Sequence, residues 1–391
     1  MIQVHIAIDL TGLMSPATGV DVYMRQLVAG LSSIDGGNRY TLLVRRESRA
    51  ALAGQLPSNF RLREFGWNSR LARGCFQQCV LPALARRERF DVVHSPAFVL
   101  PLLSGWPRHL LTVHDMTFFR MPQLHNRLRS SRPFLWAVRR SIRRANLITV
   151  PSRATQSAPL EEMPRLDPAR IRVIPHGIEE HFSPAEPARV REALDRLGLP
   201  FSYLLFVGTL EPRKNLRLLV QSYRRLIAEQ GIAEHLILAG KSGWSIDGLE
   251  RDLRSPDLAG RVHRLGYVPH QDLLWLYRGA RAFVYPSLAE GFGFPPLEAM
   301  ACGAPVIAAD NSALAENLSG AAELVRGNDA AQWTLALRAL LASPQSCEEL
   351  RRKGLARAAQ FRWSRAAAAV LELYGELDRS TPAASDLRHT R

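Results

Sequence analysis

Short apolar runs recur along the chain, separated by stretches whose apolar positions follow a helical spacing. In the first half the runs are Val4–Asp9, Tyr40–Val44, Asp91–Ser95, His109–His114, Asn146–Pro151 and Arg170–Pro175. In the second half they are Ser202–Gly208, Leu236–Gly240, Val262–Val268, Ala282–Ser287 and Val306–Asp310. They are rich in Val, Ile and Leu and nearly continuous rather than alternating, which predicts strands buried on both faces. Helices are expected between them, for example over Val20–Leu31, Asn215–Glu229, Gln271–Tyr277 and Pro296–Cys302. This alternation predicts an α/β protein of parallel sheets with helices on both faces. The rhythm pauses at Pro175–Pro187 and then restarts. Two doubly wound domains facing each other across a cleft are therefore expected, over 1–180 and 181–362. A last helix is expected over 363–378, followed by a disordered tail, 379–391, without an apolar period.

A chain of 391 residues suits two domains of this kind. Hydrophobic residues make up 47% and charged residues 22%, a balance that excludes a disordered or fibrous chain. No apolar run is long enough for a transmembrane helix, and the N-terminus enters a strand pattern at once, so no secretion signal is expected. A cytoplasmic location follows as an expectation. The cysteines, Cys75, Cys79, Cys302 and Cys347, form no pair at zinc spacing. They are expected to be reduced thiols, with a Cys75–Cys79 disulfide as the alternative.

The net charge is +15 and the pI about 10.5. The excess is uneven, since residues 1–180 hold 25 arginines and no lysine against 13 acidic residues. Its densest part, Arg127–Arg144, interleaves seven arginines with Phe134, Leu135, Trp136, Val138 and Ile142. A helix there would present an apolar side flanked by guanidinium groups. Two readings follow: peripheral docking on an anionic membrane surface, or a helix packed on its own domain with a solvated basic face. No recognition motif points to nucleic acid.

Two loops that each follow a strand and open a helix carry the candidate chemistry. In Gly208-Thr209-Leu210-Glu211-Pro212-Arg213-Lys214-Asn215, two adjacent cations stand at a helix start, where they oppose the helix dipole. An anionic ligand would compensate them through charge-assisted bonds. In Ser287 to Met300, a glycine-rich loop holds Glu290, and a proline-led helix holds Glu298. Ligands in open α/β sheets bind beyond the carboxyl ends of the strands. The glycines let backbone N–H groups approach a ligand, and the helix start is expected to offer further N–H donors to an anion. The two carboxylates are placed to hold separate hydroxyl sets on one elongated ligand. His114 ends a strand, and Gly19 stands between a strand and a helix. No GxxxxGK[ST] loop, intact GxGxxG or Asp-x-Asp pair occurs.

Together these residues resemble the retaining glycosyltransferases of family four, with the GT-B fold of two Rossmann-like domains. The run Glu290 to Glu298 resembles that family's Glu-x7-Glu motif. Gly208 to Asn215 is similar to its Gly-x-x-x-x-Arg-Lys-Asn loop, and Pro175-His176-Gly177-Ile178 to its interdomain segment. Thr18-Gly19-Val20 with Tyr23, and Phe361-Arg362-Trp363, resemble two further family segments. The resemblance implies that Arg213 and Lys214 hold the donor diphosphate in place of a metal. It implies that Glu298 binds ribose hydroxyls, and that Glu290 with the amides of Gly291, Phe292 and Gly293 holds the transferred sugar. It further implies that His114 reaches the sugar across the cleft, that Gly19 admits the phosphates, and that Tyr267 and Val268 lie in the base-binding loop. Asp21 departs from the pattern, since an aspartate near a phosphate-facing helix start is electrostatically awkward; it is expected to point at the acceptor.

The implied reaction is metal-independent hexosyl transfer with retention, from a nucleotide-diphosphate sugar and with no cofactor. GDP-mannose is the expected donor, because Phe294-Pro295-Pro296-Leu297-Glu298 resembles bacterial mannosyltransferases of polysaccharide and lipopolysaccharide assembly. The expected acceptor is a lipid-linked or cell-envelope glycan at the inner face of the cytoplasmic membrane. The alternatives are a UDP-sugar donor, a sugar-nucleotide epimerase, and an inactive scaffold of an assembly complex.

Overall fold

The computed structural model describes residues 3–14, 17–52, 56–67, 69–102 and 107–379. The chain divides into two compact units. The first comprises Met1–Phe119, Ser131–Gly177 and the chain from Arg362; the second comprises Arg120–Ser130 and Ile178–Phe361. The division differs from the expected 1–180 and 181–362 in giving Arg120–Ser130 and residues 178–180 to the second unit, and Arg362 to the first. A hydrogen bond from Trp244 Nε1 to the Leu124 carbonyl, 3.2 Å, ties the Arg120–Ser130 excursion there.

The first unit is built on seven strands: β1 (His5–Asp9), β2 (Arg39–Arg45), β3 (Phe60–Phe65), β4 (Val92–Ser95), β5 (Arg108–Thr112), β6 (Leu147–Val150) and β7 (Ile171–Val173). Their order is β3-β2-β1-β4-β5-β6-β7, and every pair is parallel. β1, β4 and β6 are buried at every position, as continuous apolar runs require. β3 was not expected from sequence. Phe-Arg-Leu-Arg-Glu-Phe alternates charge with apolar groups because β3 is an edge strand with a partly exposed face. The helix Gly19–Ile34 follows β1, and Tyr23, Met24, Leu27, Val28 and Leu31 form its buried face.

The last helix, Trp363–Arg379, belongs to this first unit. It buries Trp363, Val370, Leu373, Tyr374 and Leu377, the apolar stripe its period predicts. Its docking requires glycine twice. A Cβ on Gly177 would lie 2.2 Å from the Trp363 nitrogen, and one on Gly30 2.7 Å from Ala367 Cβ. Arg379 is the final residue of this helix rather than the first of the tail; 380–391 lie outside the described residues.

The second unit is built on β8 (Tyr203–Val207), β9 (His235–Ala239), β10 (Val262–Gly266), β11 (Ala282–Tyr285), β12 (Val306–Ala309) and β13 (Glu323–Val325). Their order is β10-β9-β8-β11-β12-β13, again all parallel. β13 was also not expected, because three residues at an edge leave no period to read. β8 and β11 are fully buried and adjacent. The strand order reverses between them, so the loops at their carboxyl ends diverge and leave a crevice.

The basic stretch Arg127–Arg144 is not one helix. The helix runs Arg132–Arg144, started by Ser131 and by Pro133 in its first turn, and Arg127–Ser130 form a turn in the other unit. Phe134, Leu135, Val138 and Ile142 pack into the first unit's core, while Trp136 stays 60% exposed. Arg139 pairs with Glu162 and covers the Phe119 ring. Arg132, Arg140 and Arg143 are exposed. No helix among the described residues is long and apolar enough to cross a membrane. All four cysteines are free thiols, Cys75 and Cys79 exposed, Cys302 and Cys347 buried.

Candidate functional site

The loop after β8 is held by its backbone. The Gly208 amide donates to the Ala239 carbonyl at 2.9 Å, Leu210 to Lys241 at 3.0 Å, and Gly243 to Leu210 at 2.9 Å. The β8 and β9 loops thus lie backbone against backbone, and a Cβ on Gly240 would sit 1.9 Å from the Gly208 oxygen. Gly240 also has a φ of +145°. Only glycine satisfies both demands. The loop then makes one 3-10 turn, Pro212–Lys214, and Asn215, in the left-handed region at φ +56°, starts the helix Leu216–Gln230. Asn tolerates that conformation better than most residues.

The turn places Arg213 and Lys214 against the loop after β11. Leu288 N–H donates to the Arg213 carbonyl at 2.9 Å. Lys214 Nζ donates to Glu290 Oε1 and to the Tyr285 hydroxyl, each at 2.6 Å. Arg213 Nη1 lies 3.0 Å from Glu290 Oε2 and donates to the Ala289 carbonyl at 2.6 Å. Arg213 Nη2 donates to Glu211 Oε1 at 2.7 Å. The Ser287 hydroxyl donates to Glu290 Oε1 at 2.6 Å, and the Glu290 amide donates to the Ser312 hydroxyl at 2.9 Å. Ser312 holds a left-handed φ of +45° to reach it, the kind of local strain that surrounding contacts must sustain.

The sequence predicts an external anion to compensate the two cations. The structure supplies one from within, the Glu290 carboxylate, with Glu211 beside it. Lys214, Glu211 and Glu290 are largely buried, the side chains 9%, 8% and 10% exposed. Burial by itself would raise the Glu290 pKa, but Arg213, Lys214 and the Ser287 hydroxyl outweigh it and bring it down to about 2. Burial pulls the Lys214 ammonium down from its ordinary value, with Glu290 opposing. The arrangement is a charged cluster poised at the switch point of the sheet, with cation positions fixed before any ligand arrives.

Gly291, Phe292 and Gly293 link Glu290 to the helix Phe294–Ala301. Gly293 has a φ of +93°, and Asn317 Nδ2 donates to the Phe292 carbonyl at 2.8 Å. The helix start offers less to an anion than its position suggests. Pro295 and Pro296 stand in the first turn and have no N–H. Amide donors at this corner therefore come from the loop rather than from the helix. Glu298, within the helix, accepts from the Tyr277 hydroxyl at 2.8 Å. Burial raises its pKa to about 7, against the lowering effect of Tyr277 and His270. Tyr267, 56% exposed, and Val268 follow β10 at the same end of the sheet.

Gly19 and His114 belong to the first unit. Gly19 is the exposed first residue of its helix. His114 is 8% exposed, and both ring nitrogens are engaged within its own unit. Nε2 donates to the Pro96 carbonyl at 2.7 Å, which leaves Nδ1 to accept from His176 Nε2 at 3.3 Å. Tyr23 lies edge-on to His114, and Trp363 stacks on His176. Asp21, expected to point at the acceptor, is turned into its own loop. It is 2% exposed, and its carboxylate accepts from the Met14 amide, the Thr18 amide and the Thr18 hydroxyl. An aspartate in the first turn here closes the preceding loop and favours the dipole.

The structure therefore brings Arg213, Lys214 and Glu290 into one network. It adds Glu211, Tyr285, Ser287 and Ser312, to which sequence assigned no role. Ser287 and Tyr285 are adjacent in sequence to the Glu290 loop, so proximity was their only signal. Ser312 opens the helix Ser312–Asn317 that follows β12 and carried none.

Residues 17–182 match the family model described as Glycosyltransferase Family 4, and residues 202–343 the model described as Glycosyl transferases group 1. The O-antigen chain mannosyltransferase B of Escherichia coli is 35% identical over 297 residues, 75% of this chain and 76% of that protein. A D-inositol 3-phosphate glycosyltransferase of Thermobispora bispora is 35% identical over 241 residues, 58% of this chain and 55% of that protein. Among solved structures, the HepE protein of Anabaena in complex with UDP and glucose superposes with a TM-score of 0.75 at 16% identity, covering 96% of this chain and 100% of that one. Both halves of the chain and both of its sheets are thus accounted for, and the chain belongs to glycosyltransferase family 4, as a glycosyltransferase of the GT-B fold.

Proposed function

We propose that the chain transfers a hexosyl group, with retention, from a nucleoside-diphosphate sugar to a cell-envelope or lipid-linked glycan. Mannose from GDP-mannose is the reading favoured by the likeness to an O-antigen mannosyltransferase across three quarters of both chains. The observation that carries the reaction class is the pair of pre-positioned cations, Arg213 and Lys214, meeting Glu290 where the strand order reverses.

In this reading Arg213 and Lys214 hold the donor diphosphate and stabilise the charge that grows on it as the glycosidic bond breaks. The acceptor hydroxyl attacks the anomeric carbon from the face the diphosphate leaves, and a departing phosphate oxygen takes its proton. Positive charge fixed in a poorly hydrated setting needs no reorganisation during the reaction, so the two side chains do the work of a divalent cation and no metal is required. Glu290 has two tasks, to hold sugar hydroxyls and to keep the cations in register. Glu298 accepts ribose hydroxyls, and Tyr267 and Val268 flank the base. On the first unit, exposed Trp136 among Arg132, Arg140 and Arg143 supplies a contact to an anionic membrane face.

A second donor class, UDP-sugars, is favoured by the fold shared with a structure that holds UDP. Thermal stabilisation by GDP and by UDP separates the two. A ligand at 100 times its dissociation constant adds about 2.7 kcal/mol. A shift with GDP, lost in Arg213→Ala, together with mannosyl transfer from GDP-mannose, is the expected result. A shift with UDP alone moves the donor to glucose, galactose or their N-acetyl forms. No shift with either overturns the reading.

A further inference from the structure

The segment that opens the second unit turns sharply, with the Phe182 amide donating to the Glu179 carbonyl at 3.1 Å. Glu179 and His181 thereby flank one turn. Facing them is His270, the first residue of the helix His270–Gly279. His181 Nε2 lies 3.0 Å from His270 Nδ1. Glu179 Oε1 is 3.4 Å from His270 Nε2, and Glu179 Oε2 is 3.9 Å from His181 Nδ1. One donor atom from each residue lies within 4.8 Å of the other two. Among the described residues this is the one group of three potential ligands that is so close.

We infer that Glu179, His181 and His270 form a binding site for a divalent transition-metal ion of the zinc, cobalt or nickel type. Two imidazoles and a carboxylate suit those ions, and three protein ligands leave a position for water. Bonds of about 2.0–2.2 Å to a tetrahedral ion place ligand atoms roughly 3–4 Å apart, so small side-chain rotations suffice. The imidazoles must be neutral to bind. Burial lowers the His181 pKa, and His270 and Arg278 lower it further against Glu179. Arg278 is the nearby cation that weighs against a metal; its Nε donates to the Ser183 carbonyl at 2.7 Å, and the Glu179 carboxylate offsets it.

The site shares no residue with Arg213, Lys214 or Glu290, so it is separate from the metal-independent chemistry proposed above. Its physical effect is to pin the opening turn of the second unit to the start of a helix. The Glu298 carboxyl already senses both His270 and Glu179, so a dication here also favours its ionised form.

The test uses the full chain, freed of metal with a chelator and titrated separately with zinc chloride and cobalt chloride by calorimetry. The visible absorption of bound cobalt reports its ligand set. One-to-one saturable binding with a metal-dependent rise in melting temperature is expected. His181→Asn and His270→Asn should each weaken binding by at least about tenfold, since even an outer-shell partner of a metal site is worth that much. Both side chains are more than one third exposed, 40% and 44%, so the metal-free variants are expected to melt as the parent does. Glu179→Gln, similar in size, is a second reading should either histidine variant melt lower. Absence of saturable binding by the folded parent overturns the inference. So does binding that survives in the His181→Asn, His270→Asn double variant.

Discussion

At the residue scale, Glu290 concentrates the site's electrostatics. In Glu290→Ala, Lys214 loses its carboxylate partner and Arg213 keeps only Glu211, and a buried charge left without its partner typically costs about 3–5 kcal/mol. That variant is therefore expected to lose stability as well as transfer. Glu290→Gln retains the size and one acceptor, so denaturant unfolding should rank parent, Gln, Ala in falling stability. Arg213→Ala leaves Lys214 on Glu290 and is expected to lower the transfer rate about 10²–10³-fold, the cost of removing one charge-stabilising donor. Its unfolding midpoint should move less than that of Glu290→Ala. The pH dependences run in opposite senses. The Glu290 carboxyl is depressed to about 2, so its contribution is full above the unfolded value of about 4.3 and is lost as pH falls through about 2. Glu298 is raised to about 7, so its contribution is full below about 4.3 and is lost as pH rises through about 7. The stability of the parent relative to Glu298→Gln, measured by unfolding from pH 4 to 8, should therefore decline as pH rises. Arg213, Lys214 and Glu290 were legible in sequence as candidates for chemistry. Their mutual pairing was not, because 76 residues separate Lys214 from Glu290 and no local pattern encodes such a contact.

At the element scale, sequence periodicity marked the buried strands and the edge strands β7 and β10, and missed the edge strands β3 and β13. β1, β8 and β11 are buried throughout because both faces are covered. β3 and β13 are partly solvated or too short to show a period. The last helix was expected, and its apolar stripe gave its length within two residues, but its place against the helix Gly19–Ile34 came from shape. Gly177→Ala would drive a methyl group into the Trp363 backbone, 2.2 Å from its nitrogen. Backbone cannot yield as a side-chain tip does, so loss of stability and a changed Trp363 environment in near-ultraviolet circular dichroism are expected. Within the same element, Tyr374 hydroxyl lies 2.8 Å from His94 Nδ1 in a buried setting. Tyr374→Phe should cost about 1–3 kcal/mol in chemical denaturation, the penalty of an unsatisfied buried polar group.

At the scale of the whole molecule, the charge excess of residues 1–180 singles out one face of one helix. Four of its interleaved apolar side chains are spent on the unit's own core, which leaves Trp136 and its neighbouring arginines outside. Trp136→Ala with Arg140→Gln and Arg143→Gln should weaken binding to anionic liposomes, and added salt should weaken the parent's binding too. Undiminished binding by the triple variant would remove the membrane contact. The apolar period by itself pointed to two α/β sheets of parallel strands and to the loops that follow β8 and β11, and the motifs quoted from those loops carried the family resemblance. Those features depend on residues near one another in sequence, through strand burial, proline and glycine conformation, and motif spacing. Tertiary structure alone decided that the β8 cations are satisfied by Glu290, that Arg120–Ser130 joins the second unit, and that Glu179, His181 and His270 converge. Each of these is set by where separate segments of the chain come to rest, and a one-dimensional pattern holds no record of that distance.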